Sequence, residues 1–272
     1  MEIKDYTSTL TDFQLKYKGT NWMYPLAIVW HETDNTASAH NEIVYMQKSG
    51  LDVENEIVTN EDLAYTSYHW AIDEKEAILG IPMDRNTWQS GDGTYGYGNR
   101  KCISIEICKN MEDDLSDYYK ARDNCVELTA WLCYKFHIKP SQDTITRHKD
   151  YQAKNCPRVI NNEGVYEDLV NQVKERYKMI TELYKTIKEL EDDVSELKSS
   201  VDSLTNEVKE INATISKRYD TLSQIKKELP WAFDTIDKLV KKGLLKGTNG
   251  KLDLTYSDIR ILVINDRANL YQ

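Results

Sequence analysis

Apolar residues follow three different patterns along the 272-residue chain. In the first, short apolar runs alternate with polar, turn-rich segments. Residues 25–31 hold the uninterrupted run Ala27-Ile28-Val29-Trp30, the pattern of a buried strand, and the run delivers His31 to a sheet edge. From Ala37 to Lys48, Ala39, Ile43, Val44 and Met46 recur at near-helical spacing with Gly50 beyond them, which predicts a helix. Tyr65 to Asp73 and Ala77 to Ile81 read as two strands, and the glycine-rich run from Ser90 to Asn99 as a long loop. Cys102 to Cys108 alternates strictly, with Ile103, Ile105 and Ile107 on one face and Ser104, Glu106 and Cys108 on the other. Leu115 to Phe136 predicts a long helix burying Leu128, Trp131, Leu132 and Phe136, while residues 1–24 show no clear period. Strands alternating with helices make this part α/β.

The second pattern begins after Gly164. No glycine or proline occurs between Gly164 and Pro230, and apolar residues repeat every seven. The a positions run Val173, Ile180, Ile187, Val194, Val201, Val208, Ile215, Leu222 and Leu229; the d positions run Leu183, Leu190, Leu197, Leu204 and Ile211, then Arg218, then Ile225. So narrow a seam predicts one continuous coiled-coil helix over residues 165–229, about 95 Å long, with its apolar stripe against another helix. β-Branched residues at a with leucine at d favour a parallel two-stranded coil, hence a homodimer.

The third pattern covers residues 230–272. Pro230-Trp231 opens a helix whose apolar face is Trp231, Ile236, Leu239 and Val240; Gly243 to Gly247 is a turn, and Asp258 to Leu270 a second helix. The domain expectation is therefore residues 1–163, a coiled coil over 165–229 and a small helical module over 230–272.

Composition narrows the partners. The net charge of −10, from 45 acidic and 35 basic residues, argues against nucleic acid and against a charge-recruited membrane surface. No apolar run approaches the ~20 residues of a membrane span. The segment from Met1 to Tyr6 lacks the apolar core of a signal peptide, so the expectation is a protein made in the cytoplasm. The five cysteines read as free thiols. Cys102, Cys108, Cys125 and Cys133 fit packing roles, whereas Cys156 sits in a loop near Lys154, where a thiolate is favoured.

Chemistry concentrates in Arg147-His148-Lys149-Asp150-Tyr151-Gln152-Ala153-Lys154-Asn155-Cys156-Pro157, an irregular segment closed by proline. With His31, the residues His148 and Cys156 make a three-ligand set that leaves one position open, the count of catalytic rather than structural zinc. On spacing alone, His148 as a loop residue and Cys156 as a buried thiol is the commoner outcome. His69 reads as structural, Trp30 as core, and His40 and His137 as non-ligands. Trp88 is placed to stack on a sugar or to line a groove.

The ordered set Val29-Trp30-His31-Glu32-Thr33-Asp34-Asn35, Ser67-Tyr68-His69-Trp70, Trp88-Gln89-Ser90-Gly91, Gly98-Asn99 with Ser104-Ile105-Glu106-Ile107, then His148 with Lys154-x-Cys156-Pro157 resembles the zinc N-acetylmuramoyl-L-alanine amidases of phage endolysins. The match runs over about residues 20 to 163. It implies a mixed β-sheet with flanking helices, as in peptidoglycan recognition proteins, and Zn²⁺ on His31, His148 and Cys156. It also implies catalytic roles for Lys154, at the position of a functional lysine in related amidases, for Tyr68 near the metal water, and for Glu106 as a general base. On the residues alone, Lys154 is a solvated lysine and Tyr68 a half-buried strand tyrosine. Glu106 stands out, because a carboxylate between Ile105 and Ile107 needs a partner or a wet groove. The substrate implied is Gram-positive peptidoglycan, reached at the wall after release through a membrane pore. A recognition protein that binds peptidoglycan in the same groove without catalysis is the alternative; such members lack the cysteine, which is present here. The pattern Trp231-Ala232-x3-Ile236-x2-Leu239-Val240-x2-Gly243-Leu244, with Asp253-Leu254-Thr255 and Arg260 after it, resembles an S-layer-homology-type wall-binding module. On the residues alone it is equally a dimerisation cap.

Overall fold

A computed structural model describes residues 1–271, which separate into two compact units that divide between Thr186 and Ile187. In chain order the elements are β1 (Glu2–Asp5), α1 (Asp12–Lys18), β2 (Ala27–Glu32), α2 (Ala39–Lys48), β3 (Leu51–Asp52), β4 (Ile57–Val58), α3 (Glu61–Tyr65), β5 (Trp70–Ile72), β6 (Glu76–Leu79), α4 (Tyr97–Lys101), β7 (Cys102–Ile107), α5 (Ser116–Lys135), β8 (Ile145–Arg147), α6 (Arg158–Glu163), α7 (Tyr166–Ser216), β9 (Arg218–Tyr219), α8 (Leu222–Glu228), α9 (Pro230–Lys241), β10 (Leu254–Thr255) and α10 (Tyr256–Arg267).

The first unit is built on a mixed sheet in the order β1-β6-β5-β7-β2-β8. Strands β5, β7, β2 and β8 are parallel, and the antiparallel β5–β6 pair turns the last two strands the other way. The expected α/β class with a mixed sheet and flanking helices is what the chain forms. Alternation sorts the faces as the sequence pattern requires. Ile28 and Trp30 of β2 and Ile103, Ile105 and Ile107 of β7 pack on Tyr118, Leu128 and Leu132 of α5. The opposite face carries Ala71, Ile78 and Cys108 under Ile43 and Met46 of α2. The parallel register sets His31 of β2 beside Glu106 of β7 on that second face. His31, Glu106 and the residue following β8 all lie at the carboxyl ends of parallel strands, where open α/β sheets place their ligands.

Three expectations need correction. The strand expected over Tyr65 to Asp73 is confined to Trp70–Ile72; Tyr65 instead ends α3, whose start Asn60 caps by accepting from the Leu63 amide. The first domain does not end at 163, because Tyr166, Leu169, Val170 and Val173 of α7 are buried in the same core as α5. The continuous helix expected over 165–229 stops at Ser216. There Arg218 interrupts the seam, and β9 pairs antiparallel with β10. Leu222, Ile225 and Leu229, assigned by period to the seam, instead join Tyr219, Ala232, Ile236, Leu254, Ile259 and Val263 in a small core of the second unit. Burying them there outweighs one more exposed helical turn, since an apolar side chain gains about 1.5–3 kcal/mol on burial. The small module therefore begins near Lys217 rather than Pro230. No helix among the described residues is long and apolar enough to cross a membrane.

Lys18 ties together the segments behind the cleft. It is fully buried, and its Nζ donates to Ser49 O, Ser49 Oγ, Leu63 O and Thr66 O at 2.6–3.1 Å. Burial pushes the ammonium down to about 8. Replacing it with methionine removes the shared donor of these four oxygens and leaves the Ser49 and Thr66 carbonyls without it. Lys18→Met is expected to lower stability by about 2–4 kcal/mol in urea denaturation, and a loss under about 0.5 kcal/mol would contradict the role.

Candidate metal centre

Three chain segments meet beneath the α2 side of the sheet. His31 comes from the end of β2, His148 from a short 3₁₀ turn (His148–Asp150) directly after β8, and Cys156 from the loop before α6. His31 Nδ1 lies 3.1 Å from His148 Nδ1 and 3.9 Å from Cys156 Sγ. The three ligand atoms lie within 4.8 Å of one another, the one such histidine, cysteine and carboxylate cluster among the described residues.

The hydrogen bonds around the imidazoles decide which nitrogens face inward. His31 Nε2 lies 2.6 Å from Gln89 Oε1. The Gln89 amide is oriented independently, since its Nε2 donates to Gly98 O and its Oε1 accepts from Ser90 Oγ. That oxygen only accepts, so His31 Nε2 carries the proton and Nδ1 is bare. His148 repeats the arrangement with Gln152 Oε1 at 3.2 Å. Gly91 makes room for it: at φ +65° it has no side chain, and a Cβ there would meet Gln152 Oε1 at 2.3 Å. Two bare Nδ1 atoms that face each other repel unless a cation lies between them, and a second partner on the outer nitrogen is the usual mark of a metal-bound histidine. The donor set thus fits a metal ion.

Glu32, quoted in the ordered motif set without a role of its own, holds the loop in place. Its carboxylate accepts from Tyr118 Oη, Asn110 Nδ2 and the Val159 and Ile160 amides at the start of α6. Its own amide points at Cys156 Sγ, 3.4 Å away. A charge directly after a buried strand run was the available signal for it. Gln89 stood inside a quoted motif, and Gln152 inside the chemical segment, without an assigned task.

Electrostatics separate the site residues. Burial lowers the His31 imidazole well below its usual value, and His148 adds to this; burial also lowers His148, with help from Lys154. Burial pushes the Cys156 thiol up to about 12, with Glu106 adding to it. The thiolate expected from the nearby Lys154 is therefore not favoured by the protein alone, because desolvation exceeds the pull of one exposed ammonium. Glu106 lies 4.0 Å from His31 Nδ1, and its Oε2 is buried without a hydrogen-bond partner. Burial first, then the charge of Glu42, raises its carboxyl to about 8. Tyr68 is committed elsewhere: its hydroxyl donates to Glu42 Oε2 and O at 2.8 and 2.9 Å, and burial raises its pKa well above the usual value. Lys154 is exposed on the rim. All six residues singled out from the sequence line one cleft, with Trp88, Gln89 and Gln152. His69 is buried away from the ligands, bonded to Ser104 Oγ and Arg85 O.

Residues 21–159 fit the sequence model of the N-acetylmuramoyl-L-alanine amidases, and the chain belongs to that family. It is 33% identical over 181 residues to the N-acetylmuramoyl-L-alanine amidase CwlA of Bacillus subtilis (strain 168), a match covering 66% of this chain and 60% of that protein. A CwlA from a Bacillus species is 37% identical over 158 residues, covering 58% of this chain and 57% of the relative. The chain thus spans less than two thirds of these curated relatives. Among solved structures, PlyL superposes with a TM-score of 0.55 at 34% identity, over 64% of this chain and 98% of its own.

Titrating the purified protein with a transition-metal ion at pH 7.5 is expected to release between about one and two protons per ion. Both imidazoles are already neutral there; the Cys156 thiol loses its proton, and the Glu106 carboxyl, raised to about 8 beside the ligands, loses part of its own. Release near zero in paired-buffer calorimetry would contradict the ligand set. Gln89→Leu removes the acceptor that fixes the His31 tautomer and is expected to weaken binding about 10–100-fold.

Proposed function

We propose that this chain is a peptidoglycan hydrolase that cleaves the amide between N-acetylmuramic acid and L-alanine, with zinc held by His31, His148 and Cys156. One observation carries the reading: two bare imidazole nitrogens and a thiol converge beside the buried, partnerless Oε2 of Glu106, in a chain of the amidase family. Zinc supplies there an acidified water and a polarised carbonyl. With two neutral imidazoles and one thiolate the centre is net +1, which favours a tetrahedral oxyanion.

The chain's own groups move the protons. Glu106 takes the proton of the attacking water and passes it to the nitrogen of the leaving L-alanine, since an amine leaves only once protonated. A carboxyl raised to about 8 suits both halves of that task. Lys154, on the rim of the same cleft, places its ammonium toward the oxyanion. Tyr68 keeps its own proton, donating it in a hydrogen bond to Glu42, and braces the wall of the cleft, which supports Glu106 rather than Tyr68 as the proton shuttle.

Digesting purified Gram-positive walls tests this reading. Metal-loaded protein is expected to release new N-terminal alanine without new reducing sugar ends. Chelation, Cys156→Ser and Glu106→Gln are each expected to reduce release at least about 100-fold, the last with metal still bound. Wall binding without new ends would favour the non-catalytic recognition reading, and reducing ends would exclude the metal assignment.

We read α7 beyond the first unit as one strand of a parallel homodimeric coiled coil. Supporting this, its seam residues from Ile187 to Ile215 are 38–65% exposed in the single chain. The module after Ser216 is read as a wall anchor of the S-layer-homology type, and the chain as a phage or prophage endolysin directed at a Gram-positive wall. The Bacillus source of the amidases it matches supports that target. Pairing two anchors raises wall avidity without new contacts. In a parallel coil Val201 faces its own counterpart, so Val201→Cys is expected to cross-link into a dimer under mild oxidation. A monomeric mass near 31.7 kDa in solution would exclude the coil. A chain ended at Ser216 that sediments with walls as well as the full chain would exclude the anchor.

A further inference from the structure

The two proposed histidine ligands enter the centre from neighbouring parallel strands, β2 and β8. One side chain outside both strands touches the residue before each of them. It is Tyr166, the first residue of α7, which is 7% exposed. Its ring meets Trp30 edge to face at 6.2 Å and 87°, and Trp30 directly precedes His31. The guanidinium of Arg147, which directly precedes His148, lies over the same ring, 3.9 Å from its centroid. The Tyr166 hydroxyl donates to Ile145 O of β8 and, at 3.4 Å, to Gln142 O.

The two strand ends differ in how they are held. Trp30 is buried and fixed from the helix layer, its Nε1 donating to Thr129 Oγ1 of α5 at 2.9 Å. Strand β8 has three residues and lies at the sheet edge, with β2 on one side only. So short a strand offers few ladder hydrogen bonds to fix its end. Arg147 links that end to its surroundings. Its amide donates to Asp150 Oδ2 at 2.8 Å, its Nη2 to Asp150 Oδ1 at 3.0 Å and its Nη1 to Asn161 Oδ1 of α6 at 3.3 Å. The Tyr166 ring, with an indole on one side and a guanidinium on another, ties this end of β8 to the firmly held β2.

We propose that Tyr166 is a positioning residue of the metal centre, its ring bridging the ends of β2 and β8 and so holding His148 at its distance from His31. This rests on the metal assignment above. Edge-to-face and cation–π contacts are directional, so a ring held by both fixes a separation as well as filling space. An aliphatic side chain fills the space and supplies neither contact. Metal ligands need placing to within about 0.5 Å, which a three-residue edge strand does not secure alone. Tyr166 lies beyond residues 21–159, the part that fits the amidase model. The centre therefore depends on the first turn of the same helix that carries the heptad seam.

The test uses the full chain, unsubstituted and as Tyr166→Leu, Tyr166→Phe and Val173→Ala. Val173→Ala opens a gap in the same core about two turns farther along α7 and serves as the stability control. Cobalt(II) is titrated into each protein. Its near-ultraviolet absorption reports thiolate ligation, and its visible bands report tetrahedral geometry. Tyr166→Leu is expected to weaken cobalt binding about tenfold or more and to alter the visible bands. Tyr166→Phe keeps the ring and is expected to stay within about threefold of the unsubstituted chain. Val173→Ala is expected to lower the urea midpoint with cobalt affinity and spectrum unchanged. Unchanged binding by Tyr166→Leu, equal weakening by Val173→Ala, or a phenylalanine variant as weak as the leucine one would each overturn the assignment. In a second arm, zinc-loaded Tyr166→Leu is expected to lower kcat on a soluble muropeptide about tenfold or more with KM unchanged. A raised KM with kcat intact would contradict a role at the metal. If the cobalt results hold and no protein releases alanine amine, the amidase reading fails and the positioning role stands. If the unsubstituted chain binds no cobalt, the metal assignment fails and this proposal with it.

Discussion

The buried carboxylate of Glu32 is the constraint on which the centre depends. It is 3% exposed, immediately follows a proposed metal ligand, and gathers donors from Tyr118, Asn110 and the first amides of α6. A buried ionised carboxylate survives only with such partners, and the amino end of a helix is a favourable place for its charge. By fixing α6, it fixes the loop before it and hence Cys156, 125 residues away in sequence from His31. The same charge is felt by Glu106, where Glu32 is one of the carboxylates that push the proton affinity upward. One structural carboxylate therefore both positions the proposed ligands and adds to the raised proton affinity of Glu106.

The protein-only site is close to neutral at its centre. Burial keeps both imidazoles unprotonated and the thiol protonated, so the charge of the ligand set arises only with a cation. The glutamines behind the histidines complete this arrangement. They hold the outer nitrogens protonated, so the inner lone pairs point toward one another. Directional hydrogen bonds, not sequence proximity, give the cluster its ligand character.

Of the fold, the long periodic stretches were legible. The β2 run, the alternation in β7 and the periodicity of α5 each contain enough apolar residues to state their own faces. Strands β1 and β8 were not: four and three residues long, they have no period to read and exist because a neighbouring strand offers hydrogen bonds. The helix break at Ser216 was hidden for the opposite reason. Leu222, Ile225 and Leu229 satisfy the heptad rule as well as the real seam does, and only the partners in α9 and α10 show that they belong to another core.

The site divides in the same way. Residue type and order pointed to His31, His148, Cys156, Glu106, Lys154 and Tyr68, and the fold brings all six to one cleft. By itself the sequence determined the class of fold, the ligand chemistry on offer and the long heptad seam, because these depend on residue identity and local period. Only the tertiary structure decided which imidazole nitrogens face inward, that burial keeps the Cys156 proton on, that Tyr68 is tied to Glu42, and that Glu32 anchors the loop. Apart from Gln152, four residues from His148, the groups that set these features lie tens to more than a hundred residues away and act through desolvation and hydrogen-bond direction, and neither quantity exists until the chain has folded.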